Sequence, residues 1–226
     1  KAPVVGCIAS TIGVNAFKPG HVMRTREPGG TAYTIFRAGE VHGRITPRVE
    51  AIAEMLSVVD STKVTTNLWG ERWSKLTTNA MGNGISASTG LGTKQTAELE
   101  VTRRLSVRLA GEAVRVGQAL GYELESIRGQ PPEKWVAAAE GDVAALEEVE
   151  GALINASKRA TEEGRPSTGQ DIVKGRRTEI DYINGLVAVR GDEIGVPAPT
   201  HAALNEVVKQ VERGELAPSP DNVADL

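Results

Sequence analysis

The hydrophobic pattern changes character near residue 70. Before it, apolar runs are short and rich in β-branched residues; after it, they recur at helical spacing. Val4-Val-Gly-Cys-Ile-Ala9 reads as a buried strand, with Cys7 as an inert core thiol. Lys18-Pro-Gly20 predicts a turn, and His21–Thr25 the strand that follows it. Tyr33-Thr-Ile-Phe36 is another β-rich run, and Val64-Thr-Thr66 a last short strand. Between them Pro47 opens a helix whose apolar positions are Val49, Ile52, Ala53, Met55 and Leu56. A few strands and one helix make a poor core to stand alone.

Residues 70–216 read almost entirely as helix. The first helix covers about 70–90. A second runs from about Ala97 to Leu120, with Leu105, Leu109, Ala113, Val116 and Leu120 on one face and Gly121 placed to end it. Pro131–Glu150 is a charged, alanine-rich helical pair broken near Gly141. Arg177–Ile194 is helical, with Gly195 and Pro197 as stop signals. Thr200 caps the last helix, whose core face is Leu204, Val207, Val208 and Val211. The tail Ala217–Leu226 is Pro-rich and acidic and reads as frayed. The pattern therefore divides the chain into 1–69, 70–216 and a tail at 217–226.

Composition narrows the class. A formal net charge of −3 gives no electrostatic case for a nucleic-acid partner. A single cysteine excludes an internal disulfide framework and fits a reducing, cytoplasmic setting. No apolar run approaches the ~20 residues that span a bilayer, so no membrane partner is expected. No secretory signal is visible. The chain opens on Lys1 and enters an apolar strand at once, which suggests that an upstream part is missing; tag residues and trimming are the plainer alternatives.

Chemistry concentrates in a few places. Lys75, Asn79 and Asn83 stand at i, i+4 and i+8, close to one stripe of a helix. Either this is an exposed polar stripe or an ammonium and two amides face a polar ligand. Gly82-Asn-Gly84-Ile-Ser-Ala87 matches the dinucleotide fingerprint in letters only. That motif needs a strand before it and a helix starting at it, and here the preceding residues read as helix. Its small residues instead let this helix pack closely. Glu179 is either a first-turn carboxylate favoured by the helix dipole or a functional group among Ile180, Tyr182, Ile183 and Leu186. Ser167 after Pro166 is a loop or cap hydroxyl. His21, His42 and His201 form no ligand set, so no metal site is expected.

Trp73-Ser-Lys75-Leu, Asn79, Asn83 and Thr89-Gly90, then Pro166-Ser167, Gln170-Asp171-Ile and Arg177-Thr-Glu179-Ile-Asp-Tyr-Ile-Asn-Gly185, then Gly195-Val-Pro197 and Thr200, resemble the ketopantoate reductase (2-dehydropantoate 2-reductase) family. The likeness covers about Val4 to Arg213 and is strongest in the helical part. It implies the C-terminal part of a Rossmann NADP-binding domain at 1–69, followed by an all-helical substrate and dimerisation domain of the 6-phosphogluconate-dehydrogenase-like kind. It implies NADPH-dependent reduction of the 2-oxo group of ketopantoate to pantoate, toward pantothenate and coenzyme A, with the active site between the two domains. Lys75 then matches the general acid, Asn79 and Asn83 the substrate-binding asparagines, and Ser167 the hydroxyl for the substrate carboxylate. Glu179 matches a carboxylate near the substrate hydroxyl and the cofactor. Ile12, in the segment Ser10–Gly13, would face the nicotinamide. A homodimer follows by the same analogy.

The chain departs from that family in three ways. The Gly-rich fingerprint and first strands, on the order of three βαβ units or ~90 residues, would precede Lys1. Without them the isolated chain is expected to bind NADPH weakly or not at all. A further substrate-binding asparagine of the family stands here as Thr93, which favours a different 2-oxo acid. The segment Gln130–Glu163 is longer than in compact members and can alter substrate range or oligomer contacts. A non-catalytic helical dimerisation or ligand-binding module is the alternative of another class.

Overall fold

The computed structural model describes residues 3–10, 12–24, 26–161 and 164–226; Lys1, Thr25 and Glu163, named above, and Thr11 of the Ser10–Gly13 segment lie outside them. The chain divides into two compact units, Lys1–Arg72 and Trp73–Leu226.

In the first unit, strand β1 (Val5–Ala9) is followed by the hairpin β2 (Val14–Lys18) and β3 (His21–Arg24), closed at Gly20 with φ +75°. Strand β4 (Phe36–Glu40) then runs antiparallel to β1 and, through helix α1 (Pro47–Ser57), leads to β5 (Thr62–Val64), which it pairs in parallel. The sheet order is β1-β4-β5, and Val49 and Ala53 of α1 pack with Ala38 of β4. Thr46 accepts from the Val49 amide and caps α1, with Pro47 in the first turn.

Several strand expectations shift. Cys7 is exposed, not a core thiol. Side chains alternate across β1, and Gly6 and Ile8 take the buried positions. A Cβ on Gly6 would lie 2.5 Å from Leu68 Cδ2. The Tyr33–Phe36 run joins the sheet only at Phe36, because the Tyr33 amide closes a turn onto the Gly29 carbonyl and Ile35 bonds Ser61. The last strand lies two residues earlier than expected, since the Thr65 hydroxyl donates to Glu71 (2.7 Å). Met55 faces outward on α1.

The second unit is helical. Helix α2 (Leu68–Ala80) is followed by α3 (Asn83–Thr89), α4 (Thr93–Glu98) and α5 (Glu100–Ala119). Next come α6 (Pro132–Ala139), α7 (Val143–Ser157) and α8 (Ser167–Val173). The last are α9 (Ile180–Glu193), α10 (Pro199–Glu212) and a 3₁₀ turn at Pro220–Val223. α5 is the central element and touches α4, α6, α7, α9, α10 and the 3₁₀ turn. Its expected face Leu105, Leu109, Ala113 and Val116 is buried, but so are Val107, Ala110 and Val114, which is the pattern of a helix enclosed by neighbours. Gly121 and Gly141, at φ +80° and +102°, end α5 and separate α6 from α7 as read from sequence.

Three helical expectations are corrected. The helix expected over 70–90 breaks at Met81-Gly82, so Asn83 opens a separate helix. All seven residues of α3 are buried, and a Cβ on Gly84 would meet Leu204 Cδ2 at 2.9 Å; the Gly82–Ala87 run serves packing. Thr200 is not the cap of α10, because Pro199 holds its first position. The hydroxyl of Thr200 instead donates to the buried Glu112 of α5 (2.6 Å), whose carboxylate also accepts from the Thr200 and His201 amides. A carboxylate from one helix thus closes the N-terminus of another. The tail is docked, not frayed: Val223 is 1% exposed, and the Asn222 side chain and Ser219 amide both donate to the Ser88 carbonyl.

His201 is fully buried between Leu109 and Asn184. The Leu109 carbonyl can only accept, so the proton sits on Nε2 (2.8 Å) and Nδ1 accepts from the Asn184 amide (3.0 Å). Burial outweighs the Leu109 bond and pushes the imidazole down to about 4. Between pH 6.5 and 4 the unfolded chain therefore binds a proton that the folded chain does not, and stability falls as pH falls. The expected loss across that window is up to about 3 kcal/mol. Urea unfolding at pH 7.0 and 4.5 measures it; His201→Gln should flatten the slope, and an unchanged slope would show that other groups carry it.

Candidate functional site

Within the Trp73–Leu226 unit the helices line an open cavity of about 220 Å³. Asn79 from α2, Asn83 from α3 and Thr93 from α4 line it, together with Arg103 of α5, Arg128 and Ser157 of α7. Asn83 is 8% exposed, and its Nδ2 donates to Ser167 Oγ at 3.4 Å, a long and weak bond. Ser167 is the first residue of α8 and is exposed. α8 lies against α3 because Gly169 has no side chain; a Cβ there would be 2.5 Å from Ser86 Oγ. The close helix contact, not sequence spacing, brings Ser167 to Asn83.

Asn79, Asn83 and Thr93 thus line one cavity, and Ser167, outside its lining, bonds Asn83. Lys75 is exposed on α2, one turn before Asn79, and is not among the lining residues. Glu179 is exposed at the N-cap of α9, where its carbonyl accepts from the Tyr182 amide. Ile12 is half-buried in the segment between β1 and β2 of the first unit. The single stripe drawn from Lys75 through Asn83 does not exist as one helix. Asn79 and Asn83 meet at the cavity through the break between α2 and α3.

Arg103, Thr96 and Arg128 are among the lining residues that escaped the sequence reading. Arg103 has a side chain 14% exposed; its Nη1 donates to the Ala97 and Glu98 carbonyls, and its Nε lies 3.3 Å from Glu150. Glu150 is shared with Arg104, 3.0 Å away. Thr96 is 8% exposed, and its hydroxyl has no hydrogen-bond partner among the described residues. Arg128 sits with φ +53° before Gly129 at φ +78°, in a two-residue turn closed by both Ile127–Gln130 backbone bonds. Two positive φ values define a type I′ turn, where Asn-Gly is the usual pair. The Arg-Gly dipeptide was the one sequence signal for it. Among the described residues no group of three or more His, Cys, Asp or Glu is placed to hold a metal ion, and no helix is long and apolar enough to cross a membrane.

Comparison with known proteins gives this arrangement its context. The family profile described as "Ketopantoate reductase PanE/ApbA C terminal" matches residues 67–212, more than half of the chain. The 2-dehydropantoate 2-reductase of Archaeoglobus fulgidus is 27% identical over 206 residues, covering 91% of this chain. The chain spans 60% of that relative's length. Among solved structures, a PanE/ApbA family ketopantoate reductase from Ralstonia eutropha superposes with a TM-score of 0.68 at 22% identity, over 93% of this chain and 60% of the other. D-mandelate dehydrogenase in complex with NADH gives 0.70 at 19% identity, over 92% and 63%. These likenesses uphold the expected architecture, a small α/β part of Rossmann type followed by a helical domain. The profile match across α2 to α10, which takes in Asn79, Asn83, Thr93 and Ser167, shows that this chain belongs to the ketopantoate reductase family.

Proposed function

We propose that this chain supplies the acid-binding and proton-donating residues of an NADPH-dependent reductase that converts 2-dehydropantoate to pantoate. The observation that carries the reading is the cavity at which Asn79 and Asn83 meet, with Ser167 bonded to Asn83, inside the region matched by the family. The hydroxyl of Ser167 is exposed and can donate to the substrate carboxylate. The two amides can hold the hydroxyl and keto groups. Lys75, one turn away on α2, is the donor that protonates the alkoxide oxygen formed when the keto carbon is reduced.

The nicotinamide cofactor must fit residues that are here. Ile12 of the first unit is half-buried, and Glu179 of the second is exposed. The Gly82–Ala87 run offers no pyrophosphate turn, because α3 is wholly buried. When bound, NADPH supplies the hydride. The residues of this chain orient the acid and deliver the proton.

A second reading keeps the mechanism and changes the acid. Thr93 stands at the cavity where the family carries an asparagine, and a mandelate dehydrogenase shares the fold. NADPH oxidation by the full-length gene product, assayed with ketopantoate and a panel of other 2-oxo acids, separates the two. Turnover with ketopantoate supports the first, turnover only with another acid the second, and no turnover with any defeats both.

A further inference from the structure

Asn83 and Ser167 are tied to segments that lie away from the cavity. α3, which opens on Asn83, is seven residues long, too short to be stable by its own backbone bonds. Its first end has no side-chain cap, because Gly82 stands there. The bond from Asn83 to Ser167, at 3.4 Å, is too long to fix either residue. Packing against α8 and α10 buries α3, and directional bonds are made at its other end, where the carbonyls of the last turn need donors from outside.

There the Ser88 carbonyl accepts from the Ser219 amide (3.1 Å) and from Asn222 Nδ2 (3.0 Å). Asn222 Nδ2 also donates to the Ala217 carbonyl (2.9 Å), so both of its hydrogens join the tail's own loop to α3. Val223, the next residue, is buried in the core cluster that holds Ile85 of α3. The Gly90 carbonyl, just past the helix, accepts from Arg165 Nη2 (3.2 Å). Arg165 stands two residues before Ser167, and its own carbonyl accepts from Gln170 Nε2 (2.9 Å) in the first turn of α8. The far end of α3 is thus bonded both to the tail and to the segment that presents Ser167.

We infer that the tail and Arg165 form a clamp on the C-terminal end of α3 that sets Asn83 against Ser167, with Asn222 as its positioning residue. Ser88 follows Asn83 by five residues, ~7.5 Å along a helix axis, so Asn222 acts on the site through α3 and not by touching a ligand. The clamp rests on the reductase reading for the acid that the site takes. The matched region 67–212 stops short of Asn222, so the family likeness does not supply this residue.

The first test needs no ligand. Hydrogen exchange of the full-length gene product, read on peptides, should quicken in 83–90 and 167–173 when Asn222 becomes alanine, and hold in α6, which packs on α5 and α7. Asn222→Asp keeps the volume but turns a carboxylate toward two carbonyls at neutral pH, and should quicken exchange at least as much. Quickening confined to the tail, or an aspartate variant that behaves as wild type, overturns the clamp.

The second test reads acid binding by NADPH oxidation with ketopantoate. Asn222→Ala should raise the KM for ketopantoate at least about fivefold, while kcat and the KM for NADPH change less than about twofold. A merely structural loss would instead lower kcat in step with the folded fraction. In an Asn83→Ala background the same substitution should add nothing to the KM, because the clamp acts through Asn83. A KM unmoved by Asn222→Ala, or an equal rise in the Asn83→Ala background, overturns the positioning role. Quickened exchange in α3 and α8 with no turnover of ketopantoate would leave the clamp standing and defeat the reductase reading. Turnover with unchanged exchange would do the reverse.

Discussion

Replacing Lys75 with alanine is expected to lower kcat for 2-oxo acid reduction by the full-length protein about 10²–10⁴-fold, the range for a lost general acid. The folding midpoint should hardly move. Lys75 is exposed on α2, alanine is the best helix former, and surface changes of this kind stay within about 0.5 kcal/mol. The two readouts together make the result interpretable. A large fall in kcat with an unchanged melting curve assigns Lys75 to the chemistry. A loss below tenfold would remove it from that role, and a fall in stability matching the fall in activity would make its part structural. Asn79, at the next turn of α2, should respond differently. As a binding group it should raise KM at least as much as it lowers kcat.

Trp135→Ala is expected to destabilise the helical unit by about 3–5 kcal/mol, the range for losing a large aromatic from a core. Trp135 is 0% exposed and belongs to a cluster with Leu109, Val114, Ile127 and Val149. Its indole donates to the Ile127 carbonyl at 3.1 Å, and that carbonyl also accepts from Gln130 to close the turn that carries Arg128. Trp135→Phe keeps most of the volume and removes only the donor, so its loss should be nearer 1 kcal/mol. Urea unfolding of both variants at neutral pH checks the ordering. If the two lose equally, the hydrogen bond and not the packing carries the effect. Because the same indole braces the Arg128 turn, the variant that still folds reports whether this brace also shapes the cavity.

The comparison between sequence and structure sorts by the range of each signal. Gly20, Gly121, Gly141 and Gly195 marked real ends and turns because each needs only a local positive φ that glycine supplies without strain. The α5 stripe was legible because burial repeats along one helix. Cys7 was misread because a short apolar run does not say which side of a strand faces a partner. The helix over 70–90 was drawn too long because Met81-Gly82 is a weak breaker. The break follows from α3 packing against α8 and α10, both distant in sequence.

By itself the sequence determined the two-part organisation, most helix ends, and the family, through the Lys75–Asn83 and Arg177–Gly185 segments. It also named Asn79, Asn83 and Thr93, which the structure finds at one cavity. Only the tertiary structure decided that Ser167 bonds Asn83 across 84 residues, that Glu112 closes α10, and that the tail docks on the Ser88 carbonyl. It alone put Thr96, Arg103 and Arg128 around the same space. The reason is physical. Turns and amphipathic faces are set by neighbours in the chain, whereas a buried polar contact such as Ser167 with Asn83 or Glu112 with Thr200 exists only once distant segments have been brought together.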